Sequence, residues 1–498
     1  MKQIKNAIYL LAVLTLRFGV CTDIQRCMPK IAIIGGGIGG ASASHFIKLK
    51  FDGNEDLKIH LFEPNKIGGR LATIFIDGNE YEAGGSIIHS RNRLMKYFVN
   101  LLGLKETPYS DANAKKFAFW NGNELIFKSS NYQVVTLTKL VYQYGLQPFQ
   151  LNHYIDSILD DFEKVYDNHE NNQAFKNLTS LLSSMNMKYP EMLKTSTEEH
   201  FKNLGYSLKF IEEMIKVSLV VNYGQENNVQ SFVGCVSAAG AGSSLWSIKG
   251  GNKKVPEMLI KQNDNIELFS SIVDRITLNS TKTEQTQYTL RYKSPGSSED
   301  YHFENYDIVI IGKPLTDDHD MPIKFRNFDS TKNFKFPGKY QITYATFVKG
   351  TLRPSYFGDE DFFDAIFSCD PNKTTISSIS RLETVKGTVS DVWKIFSKTS
   401  LERQVINKIF SEVVYVKEVK WKAYPQYNTR QRSDRFCLHD GLYYINAIEW
   451  AASAMEMSAI GGRNVAILAH KNYMKTCDNN NSQKLKKIKP HSSQHVEL

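Results

Sequence analysis

The ten residues from Ile31 to Gly40, IAIIGGGIGG, constrain this 498-residue chain more than any other stretch. An apolar run from Ile31 to Ile34 meets a turn that spells GxGxxG through Gly35, Gly37 and Gly40, and a helix-compatible ASASHFIKL follows. In a strand–turn–helix unit the first glycine allows the tight turn, the second lets backbone approach a pyrophosphate, and the third lets helix pack closely on strand. The helix N-terminus adds unpaired N–H groups that favour phosphate. A glycine triplet alone arises by chance. Here a second strand-like run, KIHLF, ends beside Glu63, at about the sequence separation where a carboxylate accepts hydrogen bonds from the adenosine ribose hydroxyls. The same carboxylate repels a 2′-phosphate, so NADP is disfavoured. An α/β dinucleotide-binding unit is the expectation.

The unit continues through KIGGRLATIFIDGNEYEAGGSIIH, which brings a glycine pair at Gly68 and Gly69, then Arg70, a hairpin turning at Asp77 and Gly78, and a second pair at Gly84 and Gly85. Arg70 is placed to neutralise a diphosphate. From about Lys115 the character changes to long helix-like stretches rich in Phe, Tyr and Leu, then returns to strand and turn patterns, as expected of a domain inserted into the nucleotide domain. A chain this long exceeds one core, and two domains are expected. The expected boundaries are 29–114, 228–320 and 411–477 for the nucleotide domain, with 115–227 and 321–410 for the inserted one.

At the ends, Lys2 and Lys5 precede an apolar run from Ala7 to Leu16, so residues 1–21 read as a cleaved secretory signal, too short to span a membrane. The polar tail 478–498 is expected to be disordered. Of the formal net charge of +9, the signal carries three units and the tail two, leaving four for the body. That gives no support to nucleic-acid binding. Five cysteines remain after cleavage, an odd number without CxxC spacing or a Cys/His cluster. A lumenal disulfide is allowed, its pairing is open, and no metal site is expected. Sequons at Asn177, Asn279, Asn372 and Asn480 are consistent with a lumenal route.

GGRLATIFIDGNEYEAGG resembles the GGRxxT…ExGG pattern of the flavin amine oxidase superfamily, and LYYINAIEWAASAMEMSAIGGRNVA is similar to the ending of the prenylcysteine oxidase family. The likeness runs from about Lys30 to His470. It implies a glutathione-reductase-like FAD-binding Rossmann domain with an inserted mixed α+β substrate domain, and FAD rather than NAD. It also implies that Glu449 lies on the ribitol side, that a helix starting between Ala451 and Met455 aims its positive end at the flavin, and that Val273 meets the adenine through backbone groups. His89 is weighed as a flavin neighbour against an ordinary hairpin-end histidine, with the latter preferred. The cofactor set is thus Gly35, Gly37, Gly40, Glu63, Gly69, Arg70, Gly84, Gly85, Val273, Glu449 and Met455; no catalytic residue is named.

The implied activity converts S-farnesyl- or S-geranylgeranylcysteine, oxygen and water into cysteine, an isoprenoid aldehyde and hydrogen peroxide. The rivals are a flavin amine oxidase acting on another substrate and a redox-inactive prenyl carrier. The likeness implies a lysosome or another part of the secretory lumen. Secretion, or retention in the endoplasmic reticulum through the terminal HVEL, and a weak membrane-surface association stay open.

Overall fold

The computed structural model describes residues 27–488 apart from 53, 109–115, 241–244, 280–285, 298, 330–333 and 431–433. The signal expected at 1–21 lies outside the described residues. The apolar run at the start becomes the strand Lys30–Ile34, with Ile31, Ala32 and Ile33 fully buried. It sits inside a six-stranded sheet whose spatial order is Ile266–Phe269, Lys58–Phe62, Lys30–Ile34, Ile308–Ile311, Leu442–Tyr444 and Cys437–His439. The first five are parallel and the last antiparallel. Parallel strands covered on both faces read as unbroken apolar runs, which is how IAII and IVII appear in the sequence.

Two helices cover one face in backbone contact with each other. Ile38–Lys50 follows the glycine turn, and Met455–Ile488 closes the domain. A Cβ on Gly462 would lie 2.5 Å from Gly39 O, and Ser42 Oγ donates to Ala459 O at 2.7 Å. Beside the parallel sheet lies a four-stranded one, His302–Tyr306, Tyr288–Lys293, Ile272–Leu278 and Lys324–Arg326.

The inserted domain is built on a seven-stranded mixed sheet ordered Phe410–Pro425, Tyr340–Leu352, Val389–Ser397, Ile376–Glu383, Ala365–Ser368, Phe117–Trp120 and Leu125–Lys128. A helical layer from Gln133 onward accompanies it. The hairpin Thr73–Ile76 and Asn79–Glu82 turns at Asp77 (φ 47°) and Gly78 (φ 72°), the left-handed pair that a tight hairpin demands. It packs Ile74, Ile76 and Tyr81 against Ala345, Phe347 and Val392, locking one domain to the other.

Three expected boundaries move. Phe410–Pro425 pairs along the length of Tyr340–Leu352, so the inserted domain runs to Pro425 rather than 410. Lys324–Arg326 pairs with Ile272–Leu278 and belongs to the nucleotide side. The helix Ser231–Ala239 packs Phe232 against Tyr189, extending the helical layer past 227. Each depends on a strand or helix distant in sequence. The tail expected to be disordered begins as helix, since Met455–Ile488 continues through Asp478. Adding a turn to an existing helix avoids the nucleation cost.

Cys27 and Cys477 form a disulfide with Cα atoms 5.9 Å apart, tying the approach to the first strand to the closing helix across 450 residues. Cys235 and Cys369 are buried thiols, pushed by burial up to about 12 and about 11. Among the described residues no helix is long and apolar enough to cross a membrane, and no cluster of His, Cys, Asp or Glu could hold a metal.

Candidate cofactor site

A cleft opens at the carboxyl ends of the central parallel strands, where Ile34, Phe62 and Gly312 line it. This is where open α/β sheets bind ligands. Its lining draws together the glycine turn, Glu63, Val273, Glu449 and Met455, residues spread over most of the chain.

Gly35 has φ +113°, and a Cβ there would meet Gly312 O at 2.9 Å. Gly37 caps the helix Ile38–Lys50 with no side-chain hydrogen bond, so first-turn N–H groups remain for an anion. Gly37 also bridges Gly68, with Gly69 (φ +57°) on the same wall. Glu63 Oε2 accepts from Gly36 N–H at 2.9 Å and Oε1 from Asn65 N–H at 3.0 Å. The carboxylate is thereby fixed at the cleft with acceptor sites to spare.

Nine of the eleven expected residues line the cleft: Gly35, Gly37, Glu63, Gly69, Arg70, Gly85, Val273, Glu449 and Met455. Gly40 and Gly84 do not. A Cβ on Gly40 would lie 2.0 Å from Gly35 O and one on Gly84 would lie 1.9 Å from Arg70 O, so both permit close packing behind the wall rather than contact with a ligand. His89 is also elsewhere: its strand pairs with Leu245, and Nδ1 accepts from Arg91 N–H at 3.2 Å.

Arg70 departs most from expectation. Its guanidinium donates to the Glu449 carboxylate, to Ala423 O at 2.8 Å and to Ser453 Oγ at 3.2 Å. Burial opposes its charge, but Glu449 outweighs that and holds its pKa above the usual arginine value. The Glu449 side chain is 1% exposed and accepts two further bonds, from Tyr340 OH at 2.7 Å and Asn446 Nδ2 at 3.0 Å. Arg70 therefore neutralises Glu449 before it can neutralise a diphosphate. Burial and then the Glu449 charge push Tyr340 well above the usual phenol range, so it stays a donor.

The closing helix begins at Met455, with Ser453, Ala454 and Ser458 also facing the cleft. Glu456 pins that end by accepting from Leu94 N–H at 2.7 Å, Met95 N–H at 2.9 Å and Tyr166 OH at 2.8 Å. Burial raises this carboxyl to about 7.

Sequence reasoning missed Lys313, His319, Lys422 and Asn446, all on the lining. Lys313 follows Gly312, and its backbone N would lie 3.4 Å from a Cβ on Gly35. Burial lowers its ammonium to about 8, and Nζ donates to Met321 O. Lys422 is taken up by Asp320 at 2.8 Å, while burial keeps His319 neutral by lowering it to about 4. Asn446 Oδ1 is buried without a partner among the described residues, an acceptor available to a ligand donor. The one available signal for Lys313 was its place immediately after an apolar strand and a glycine. Glycine walls, an uncapped helix end, a ribose-length carboxylate and an orphan acceptor together fit FAD.

The chain matches the family model described as prenylcysteine lyase over residues 127–482 and that of an NAD(P)-binding Rossmann-like domain over 33–101. It is 37% identical over 459 residues to prenylcysteine oxidase 1 of Rattus norvegicus, covering 89% of this chain and 88% of that protein. Identity to the Homo sapiens prenylcysteine oxidase 1 is 36% over 470 residues, 90% of each chain. The Homo sapiens prenylcysteine oxidase 1-like protein is 30% identical, covering 90% of this chain and 92% of that one. Among solved structures, cyclohexylamine oxidase from Brevibacterium oxydans IH-35A superposes with TM-score 0.56 at 14% identity, covering 89% of this chain and 99% of that one. Putrescine oxidase bound to putrescine gives TM-score 0.52 at 12% identity over 88% and 98%. At such identities these two show a shared fold.

Proposed function

The chain belongs to the prenylcysteine lyase family, and from that premise we propose that it is an FAD-dependent oxidase that cleaves the thioether of S-prenylcysteine. The observation that carries this reading is the cleft itself: Glu63, the glycine turn and the Met455 helix end converge in a chain 37% identical to a prenylcysteine oxidase over 89% of its length. FAD, when bound, supplies a two-electron acceptor that molecular oxygen regenerates, releasing hydrogen peroxide.

The protein's own groups bind and orient. Glu63 would receive the adenosine ribose hydroxyls of bound FAD, the Ile38 helix end would hold its diphosphate, and the Met455 helix end would favour negative charge on the reduced ring. The Arg70–Glu449–Tyr340 cluster is internally neutralised and holds the wall rigid. No general base is required of the side chains. The carbon to be oxidised is allylic and bonded to sulfur, so removing a hydride from it, with bound FAD as the acceptor, would leave a cation that the substrate delocalises itself. Water adds to it, a proton leaves, and the resulting hemithioacetal collapses to cysteine thiol and isoprenoid aldehyde. The protein contributes position and exclusion of competing reactions.

Anaerobic mixing of the yellow holoprotein with farnesylcysteine should bleach it, and readmitted oxygen should restore the colour with formation of peroxide. Colourless protein after careful purification, or flavin that stays oxidised, would end this reading.

With Arg70 committed to Glu449, Lys313 is the cation we assign to the diphosphate. Below about pH 8 Lys313 is already charged, so FAD binds without proton uptake. Above that pH binding must first protonate it, and affinity falls as pH rises towards the usual lysine value. Calorimetry on cofactor-stripped protein should show FAD affinity roughly tenfold weaker at about pH 9.5 than at about pH 7. Lys313→Met should weaken binding at the lower pH and flatten the dependence.

A lumenal location, lysosomal or elsewhere in the secretory pathway, is also proposed. It is supported by the leader-like residues 1–21 and by the Cys27–Cys477 disulfide, a bond favoured in oxidising compartments.

A further inference from the structure

The helix Gln133–Tyr144 rides on the inserted domain with only Thr136, Leu140, Gln143 and Tyr144 turned inward. A soluble surface helix carries charged groups on its outer arc. This one carries Val134, Val135, Leu137, Val141 and Tyr142, with Val134 74% and Tyr142 93% exposed. The apolar surface continues across Tyr132 before the helix and through Leu146 and Phe149 at the start of the next, Gln147–Glu170. A second segment extends it. Ser207 N–H donates to Gln147 Oε1 at 2.7 Å, which places exposed Leu204 and Leu208 beside the corner between the two helices.

Along the helix and its immediate flanks the charges have one sign. From Leu125 to Ile155 the ionised side chains are Lys128 and Lys139, with no acid among them. Lys128 is held by Asp359 at 2.8 Å, and Lys139 is exposed. Lys209, also exposed, sits with Nζ 5.8 Å from the Tyr144 ring. Glu213, beneath the helix, is taken up by Gln143 and Tyr144 on the inner side. A two-fold dimer through this face would bring its lysines together. A lipid leaflet would meet the aliphatic arc with acyl chains, the tyrosines with its interface and the lysines with headgroup phosphates.

We propose that this surface, centred on Val134 and Tyr142, seats the protein on a lipid bilayer bearing anionic headgroups. The choice of a bilayer also rests on the prenylcysteine reading, since an isoprenoid tail partitions into membranes and would be presented from there. Contiguous exposed apolar patches of this kind mark interaction sites rather than ordinary surface.

Flotation of the holoprotein with phosphatidylcholine vesicles, with and without phosphatidylserine, reads the surface directly and uses no substrate. The protein should float, more completely with phosphatidylserine. Val134→Asp/Tyr142→Asp should cut the bound fraction about tenfold while flavin content and turnover in solution hold. Lys139→Glu/Lys209→Glu should remove the gain from phosphatidylserine. Wild-type protein that stays in the soluble fraction overturns the proposal, as does a Val134/Tyr142 variant that floats equally well. Sedimentation showing a dimer that this variant dissociates, without vesicle binding by either protein, assigns the face to a second copy instead. Protein that floats yet fails to bleach with farnesylcysteine keeps this surface and removes the substrate reading.

Discussion

Arg70→Met should destabilise the folded protein by about 3 kcal/mol and strip most of its flavin in the same step. The guanidinium is the counter-charge of a carboxylate that is 1% exposed, and its loss leaves Glu449, among the described residues, with Tyr340 and Asn446 as its donors. Breaking a buried ion pair from one side costs roughly 3–5 kcal/mol. The lower end applies because the Arg70 side chain is 33% exposed towards the cleft and water can reach the vacancy. Denaturant unfolding of the cofactor-free protein gives the stability, and the ratio of flavin to protein absorbance gives the occupancy. The double variant Arg70→Met/Glu449→Gln should recover much of the stability, because the orphaned charge is gone. Should the single and double variants unfold alike, Glu449 is not held by Arg70 in the way the geometry requires.

Gly40→Ala should lower FAD affinity by about a hundredfold, equivalent to about 2.7 kcal/mol. The added methyl carbon would fall 2.0 Å from Gly35 O, a backbone atom that no rotamer change can move aside, so either the helix backs away or the glycine turn is displaced. Overpacking costs about 1–3 kcal/mol in general, and a clash with an immovable backbone oxygen sits at the top of that range. Gly37→Ala is the informative companion. The nearest atom to a Cβ there is Gly68 O at 3.9 Å, and φ is −74°, so the cofactor-free protein accepts the methyl group without strain. Its unfolding should match wild type within about 0.5 kcal/mol while flavin binding is blocked. Equal loss of stability in both variants would show that Gly37 serves packing and not ligand approach.

The two glycines show why part of the site could be read from a linear string. A strand, a turn that only glycine can follow and a helix that must press on the strand are demands made within ten residues, and they leave a pattern of matching length. The same holds for the left-handed pair Asp77 and Gly78, and for Glu63 at the end of a buried strand. Lys313 left a faint trace. Its neighbours spell a strand end, but its importance comes from Arg70 being occupied, and nothing near position 70 in the sequence shows that.

Residues close in sequence thus dictated a dinucleotide-binding βαβ unit, because backbone dihedrals, strand burial and helix contact act over a few residues and select amino acids one position at a time. Folding alone decided which cation is spent on Glu449, that Phe410–Pro425 joins the inserted sheet, that Cys27 meets Cys477, and that an apolar helix face is left uncovered. Those outcomes hinge on Coulomb attraction, strand register and burial between segments up to 450 residues apart. The partner of each group is chosen by where packing brings the chain back, and a one-dimensional pattern holds no record of that return.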